Sequence, residues 1–270
     1  MTRHQTFFDL HQLGCFVIPN PWDMGSARMM AGLGAKALAT SSAAHAFTLG
    51  RPDMAVTRDE ALAHAEMIVA ATDLPVSGDF ENGFADAPDA MAETICLAAE
   101  VGLSGCSIED TSPTVAPYDF ALSVERIKAA ASAARALGRP FILCARADGV
   151  MNGTYDLTEG IRRLQAYEQA GADLLYLPVP PGPTELTKVL AAVTKPVNAL
   201  AAGPLRNLSV PQLAAMGVRR ISLGSMIARL THAAIQTSVS AMLDEGNFQP
   251  LMNAASGAAI DALLLKGSPT

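Results

Sequence analysis

The chain has 270 residues, 50% of them hydrophobic and 17% charged, which excludes a disordered segment and suits a protein that buries a large core. Its net charge of −7, with no clustered Lys and Arg, argues against a nucleic-acid surface and leaves a small molecule or a metal as the partner class. The opening MTRHQTFFDLHQLGCFVIPN lacks the apolar run of a secretory signal, and no later stretch resembles a membrane span, so a cytoplasmic protein is expected.

In chain order, eight short apolar runs read as strands: CFVIPN, AKALATS, LPVSGDF, GCSIED, PFILCARAD, ADLLYLPV, KPVNAL and RRISLG. Between them EALAHAEMIVAAT, APDAMAETICLAAEVG, FALSVERIKAAASAARALG, LTEGIRRLQAYEQAG, TELTKVLAAV and VPQLAAMG read as helices, several of which stop at glycine. Alternating strands and helices predict an α/β fold with a parallel sheet. Eight such units, with no GxGxxG after the first strand, favour a closed (β/α)8 barrel over an open doubly wound sheet. One domain is expected over residues 1–270, the barrel over about 14–230 and surplus C-terminal helices over about 225–270. Those surplus helices would pack against another subunit. Aromatics are only 5%, so Ala, Val, Leu and the twelve Met residues fill the core. Cys15, Cys96, Cys106 and Cys144 form no CxxC pair and read as free thiols; Cys144, two residues before Arg146, should lie deeper on the same face.

In a barrel the chemistry gathers where strands end. Three consecutive strands here end in charge: Asp79 and Glu81, then Glu109 and Asp110, then Arg146 and Asp148. Two residues apart in a strand, Asp79 and Glu81 should share a face, and like charges that close need a cation between them. A lone strand-end acid usually caps a helix or meets solvent. Asp79, Glu81 and Glu109 together, with no nearby Cys or His ligand pattern, suit Mg²⁺, with Mn²⁺ as a second option.

The ordered set WD, TSS, LGRPD, GDFENGF, SIED and CARAD resembles the isocitrate lyase and phosphoenolpyruvate mutase superfamily, from about residue 16 onward, and within it the shorter mutase-like members similar to oxaloacetate decarboxylases and carboxyphosphonoenolpyruvate phosphonomutase-like proteins. The resemblance implies a Mg²⁺-dependent enzyme that makes or breaks a bond at C3 of a 2-oxo acid through a pyruvate enolate. It places Asp79 on the metal, with Glu81, Asp53 and Glu109 as further metal-site acids. It makes Arg146 and Glu109 catalytic, and puts Trp22, Thr40, Ser41, Ser42 and Asn198 around the substrate, with Asp23 as a further pocket position. It also implies a homodimer or homotetramer that exchanges a C-terminal helix between subunits.

Two departures narrow the activity. Members that cleave isocitrate or methylisocitrate carry a K-[KR]-C-G-H segment after the fourth strand, where this chain reads IEDTSPTVAPYDFALS, without Cys, Lys or His. The longer Lys- and Asn-bearing gating loop of the phosphonate-forming mutases is missing too. An oxaloacetate-like C–C lyase or decarboxylase is therefore expected, ahead of mutase-type P–C chemistry on a phosphoenolpyruvate-like substrate or a barrel that binds 2-oxo acids without turnover. His45, after the TSS segment, is a candidate proton carrier, against the plainer reading of a histidine satisfied by local hydrogen bonds. Tyr118 would cover the pocket or sit on the surface.

Overall fold

A computed structural model describes residues 1–270. All eight apolar runs form strands: β1 (Phe16–Ile18), β2 (Leu38–Ala39), β3 (Val76–Asp79), β4 (Gly105–Glu109), β5 (Ile142–Arg146), β6 (Leu174–Tyr176), β7 (Val197–Leu200) and β8 (Arg220–Ser222). They pair in parallel in the order β1-β8-β7-β6-β5-β4-β3-β2. The β1–β2 seam has no ladder. It is bridged by the Ala39 N–H donating to the Pro19 carbonyl (3.0 Å) and the Asn20 amide donating to the Thr40 carbonyl (2.9 Å). The result is a nearly closed (β/α)8 barrel.

Twelve α-helices accompany the strands: α1 (Arg3–Leu10), α2 (Met24–Gly32), α3 (Ser42–Thr48), α4 (Arg58–Ala71), α5 (Pro88–Glu100), α6 (Phe120–Ala136), α7 (Gly149–Asn152), α8 (Leu157–Gln169), α9 (Pro183–Ala192), α10 (Val210–Met216), α11 (Met226–Glu245) and α12 (Gly257–Lys266). The six helices read from periodicity correspond to α4, α5, α6, α8, α9 and α10. Sequence periodicity misses α1, α2, α3 and α7, which span 8, 9, 7 and 4 residues, too few turns for a repeating face. Local capping starts three of them: Thr2, Asp23 and Ser41 each accept from a backbone amide in the first turn.

The small side chains of the Ala-rich helices let α4, α5, α6 and α8 lie close on the sheet, where they bury Ile68, Met91, Ile95 and Leu164. A second cluster lies with Phe7 against the strands, joining it to Phe16, Ile18, Ile142, Leu174 and Cys144. Cys144 is thus buried below Arg146, as its spacing predicts. Phe7 fits because position 105 is glycine: a Cβ there would stand 2.4 Å from the Ile142 carbonyl oxygen and 3.0 Å from the Phe7 ring.

After β8 the packing changes. Along α11 only Ala228 is buried, while Leu230, Ile235 and Leu243 are exposed, as is Phe248 beyond it. The α12 helix returns to lie on α2 of its own chain; a Cβ on Gly32 would stand 2.3 Å from the Leu263 carbonyl oxygen. No helix is long and apolar enough to cross a membrane.

Candidate active site

A cleft of about 280 Å³ opens where the strands end, lined by Ser41, Ser42, Asp53, Asp79, Glu109, Arg146, Asp148 and Tyr176 and roofed by Thr111, Ser112 and Val115. A larger open groove of about 480 Å³ runs between α3 and α11, but no carboxylate lines it, so chemistry rather than size identifies the site.

Arg146 ends β5 and holds the cleft together. Its Nη1 donates to Asp79 (2.9 Å), its Nη2 lies 3.2 Å from Glu109 Oε2, and Nε and Nη2 donate to the two oxygens of Asp148 (3.1 and 2.7 Å). Burial works against its charge, but Asp148, Glu109 and Asp79 outweigh that and hold the guanidinium well above its usual pKa. Its central carbon lies 5.2 Å from the centre of the Tyr176 ring. Asp79 ends β3; its Oδ2 accepts from the amide and hydroxyl of Ser42 (3.1 and 3.2 Å) and its Oδ1 also from Ser107 (3.2 Å). Burial pushes the Glu109 carboxyl well up; Arg146 opposes this while Asp148 and Asp79 add to it.

Glu81 departs from the strand expectation. The strand stops at Asp79, and Glu81 sits in the following turn with φ 46°, its carbonyl accepting from the Glu109 amide (2.8 Å). It shares with Asp79 not the main cleft but a side cavity of about 10 Å³, which also receives His45 and His64. There its Oε1 is buried without a hydrogen-bond partner, and burial, then Asp79 and Asp53, raise its pKa to about 7.

The other expected residues divide. Asp53 stands at the exposed rim of the cleft. Ser42 faces the cleft, Ser41 caps α3 by accepting from the Ala44 amide (3.3 Å), and the buried Thr40 accepts from the Asp79 amide (2.8 Å). Asn198 is not among the cleft residues; its side chain is spent between Arg220 and Ser222 (2.8 and 2.9 Å) inside the barrel. Trp22 is not there either. Its carbonyl accepts from His64 (3.0 Å), and Asp23 caps α2. His45 lies behind Ser42, stacked on His64 with ring centres 3.9 Å apart. The Tyr118 hydroxyl turns away from the cleft to Asn82 (2.7 Å) and Asp86, with the Arg126 guanidinium over its ring. Sequence reasoning missed Tyr176 and Ser107. Both sit in strands already recognised, but neither type signals a site alone.

The residues fit a hard divalent cation. In the main cleft the ionic donors are carboxylate oxygens, four acids (Asp53, Asp79, Glu109 and Asp148) against the single cation Arg146, and in the adjoining side cavity one Glu81 oxygen is buried unpaired beside Asp79, His45 and His64. No three potential ligands converge into a ready cage, so water and substrate oxygens would complete the shell.

The sequence model described as phosphoenolpyruvate phosphomutase matches residues 7–243. An uncharacterized protein of Mycobacterium tuberculosis H37Rv is 34% identical over 224 residues, 82% of either chain. A probable 2-methylisocitrate lyase 2 of Corynebacterium glutamicum is 31% identical across 67% of this chain and 61% of its own, and an oxaloacetate decarboxylase of Paraburkholderia xenovorans LB400 is 29% identical across 78% and 71%. Among solved structures, a candidate lyase or mutase of Burkholderia cenocepacia J2315 superposes with a TM-score of 0.91 at 45% identity, covering 96% of this chain and 94% of its own. The family model spans all eight strands and the acids at their ends, and the chain belongs to the phosphoenolpyruvate phosphomutase family.

Proposed function

We propose that the protein is a divalent-metal-dependent C–C lyase acting on a small 2-oxo acid, with decarboxylation of oxaloacetate or a close C3-substituted analogue as its reaction. The observation that carries this reading is the meeting of Asp79, Glu109 and Arg146 in a cleft whose roof, residues 111–118, offers no Cys, Lys or His. Relatives named for oxaloacetate decarboxylation and methylisocitrate cleavage support C–C chemistry.

Asp79, with Glu81, Glu109 and Asp53 acting through water, would hold Mg²⁺ or Mn²⁺, which when bound supplies charge neutralisation at the keto oxygen of the substrate. Arg146, kept charged by Asp148 and Glu109, orients the substrate carboxylate, and Ser42 lines the same cleft while its amide and hydroxyl hold Asp79 in place. Loss of CO₂ leaves an electron pair on the pyruvate enolate, and one proton at C3 completes pyruvate. Cleaving a tricarboxylate would further require a base for the hydroxyl and a placed acid for the enolate. Thr111, Ser112 and Thr114 are poor acids, and Tyr118 is engaged elsewhere with its pKa raised first by burial and then by Asp86. Solvent protonation suffices for decarboxylation.

The test is side-by-side kinetics with Mg²⁺. Pyruvate should form from oxaloacetate above the metal-only rate, and neither glyoxylate from isocitrate nor succinate from 2-methylisocitrate. Rapid succinate release would overturn the reading. The exposed apolar side chains of α11 further suggest a dimer or a tetramer built from two dimers, with helix exchange between subunits; a stable monomer in light scattering at micromolar concentration would remove that idea.

A further inference from the structure

Two of the strand-end acids, Asp110 and Asp148, have no direct part in the proposed reaction, yet both are almost wholly buried. Asp148 grips Arg146 through both carboxylate oxygens. What fixes Asp148 is Asp110, whose Oδ1 accepts from the Asp148 amide (2.9 Å). The other oxygen, Oδ2, accepts from the hydroxyls of Tyr155 and Tyr167 (2.8 Å each) and from Arg163 Nη1 (3.0 Å). Arg163 reaches on to the Tyr118 carbonyl (2.9 Å), while the Tyr118 amide donates to the Asp110 carbonyl (2.9 Å). The far foot of the 111–118 roof therefore hangs from the residue that fixes Asp148.

We propose that Asp110 is a positioning residue that sets the pose of Arg146 through Asp148 and couples it to the 111–118 roof, so that roof and arginine respond as one unit. The proposal rests on the reading that Arg146 meets the substrate. Its physical basis is that every polar atom on Asp110 Oδ1 and Oδ2 is a donor. An amide in place of the carboxylate must turn N–H groups toward the Asp148 amide or toward the Tyr155, Tyr167 and Arg163 donors, so one arm of the hub breaks while the volume is kept. A simple staple between elements would weaken the fold without acting through Asp148.

The test is a double-mutant cycle on kcat/KM for oxaloacetate with Asp110→Asn, Asp148→Asn and both together, alongside hydrogen exchange of residues 111–118 and 147–153. Asp110→Asn should lose about 10- to 100-fold, the order expected from misplacing a binding group by about 1 Å, and the double variant should be no worse than the poorer single. Losses that multiply would overturn the proposal, as would an unchanged kcat/KM in Asp110→Asn. Exchange should rise together in both segments, and by more than in the barrel core, even where the melting temperature falls; a rise confined to one segment also overturns it. If wild type leaves oxaloacetate untouched while both segments still loosen together, the substrate reading falls and the hub stands. Should Asp110→Asn fail to fold, Tyr167→Phe removes one donor without placing N–H against N–H, and its smaller loss should vanish in the Asp148→Asn background.

Discussion

The two ends of the barrel reverse each other. At the cleft, acids and one arginine are buried together, and their charges are balanced only in part by Arg146. At the packed end, α1 buries Phe7 completely among Phe16, Ile142 and Leu174, and the buried His11 that caps the helix is held neutral between two aromatic rings. The difference separates two uses of buried side chains: the cleft stores electrostatic conflict that a ligand can relieve, and the packed end supplies cohesion. Substitutions at the cleft should therefore remove activity with little loss of stability, and substitutions at the packed end the reverse.

The sharpest contrast is Asp79→Ala. Turnover should fall by about 10³-fold or more, since the first of the proposed metal-holding acids is lost, with Mn²⁺ affinity falling in parallel by calorimetry. Arg146 keeps Glu109 and Asp148, so the melting temperature should barely move. Equal Mn²⁺ binding in wild type and variant would remove the metal from this position.

Phe7→Ala should do the opposite. A fully buried Phe lost from a packed cluster costs about 3–5 kcal/mol. Denaturant unfolding should show that loss, while kcat per folded molecule stays near wild type; a large fall in kcat would mean that the two ends are coupled.

How much of this was legible follows the same division. The strands and the longer helices were readable because alternation and glycine stops are local signals, and Asp79, Glu109 and Arg146 were readable because they end strands. Glu81 failed the same-face expectation because β3 stops one residue after Gly78, and a left-handed turn then redirects the side chain. The resemblance puts Asn198 near the substrate; in the structure its amide oxygen accepts from Arg220, its direct register partner on the neighbouring strand β8, and its amide nitrogen donates to Ser222, contacts that residue type alone does not reveal. The Asp110 hub joins Tyr155, Arg163 and Tyr167 on other elements, so no spacing along the chain announces it. The acids at 110 and 148 were visible; their wiring was not.

Acid stability offers a smaller effect at the packed end. Burial, then Arg220, lowers the His11 pKa to about 3, against the opposing bond from Nδ1 to the Phe7 carbonyl (2.7 Å). Between about pH 6.5 and 3 the unfolded chain carries a proton here that the folded one does not. This contribution is therefore complete above pH 6.5 and is lost as pH falls, by about 1.4 kcal/mol per unit. His11→Phe should flatten the slope of stability against pH by about one proton in that window. An unchanged slope would mean that His11 charges without unfolding the helix end.

The smallest effect is expected at His45, although it lies close to the cleft. Its ring is buried and parallel to His64 within 5°, and burial lowers its pKa, with Glu60 opposing and Arg51 adding to the shift, so it stays neutral near pH 7. The side cavity it faces measures about 10 Å³, at the threshold for one water and too small for a carboxylic acid substrate. His45 lines that cavity and not the main cleft; Ser41, Ser42 and Asp79 line both, and the Ser42 amide and hydroxyl are bound to Asp79. His45→Gln keeps a polar side chain beside His64 and should change kcat on oxaloacetate by less than about threefold from pH 6 to 8, far below the 10²–10⁴-fold typical of a lost general acid or base. A loss of a hundredfold or more with an unchanged melting temperature would make His45 the proton carrier and would extend the chemistry from the cleft into the side cavity.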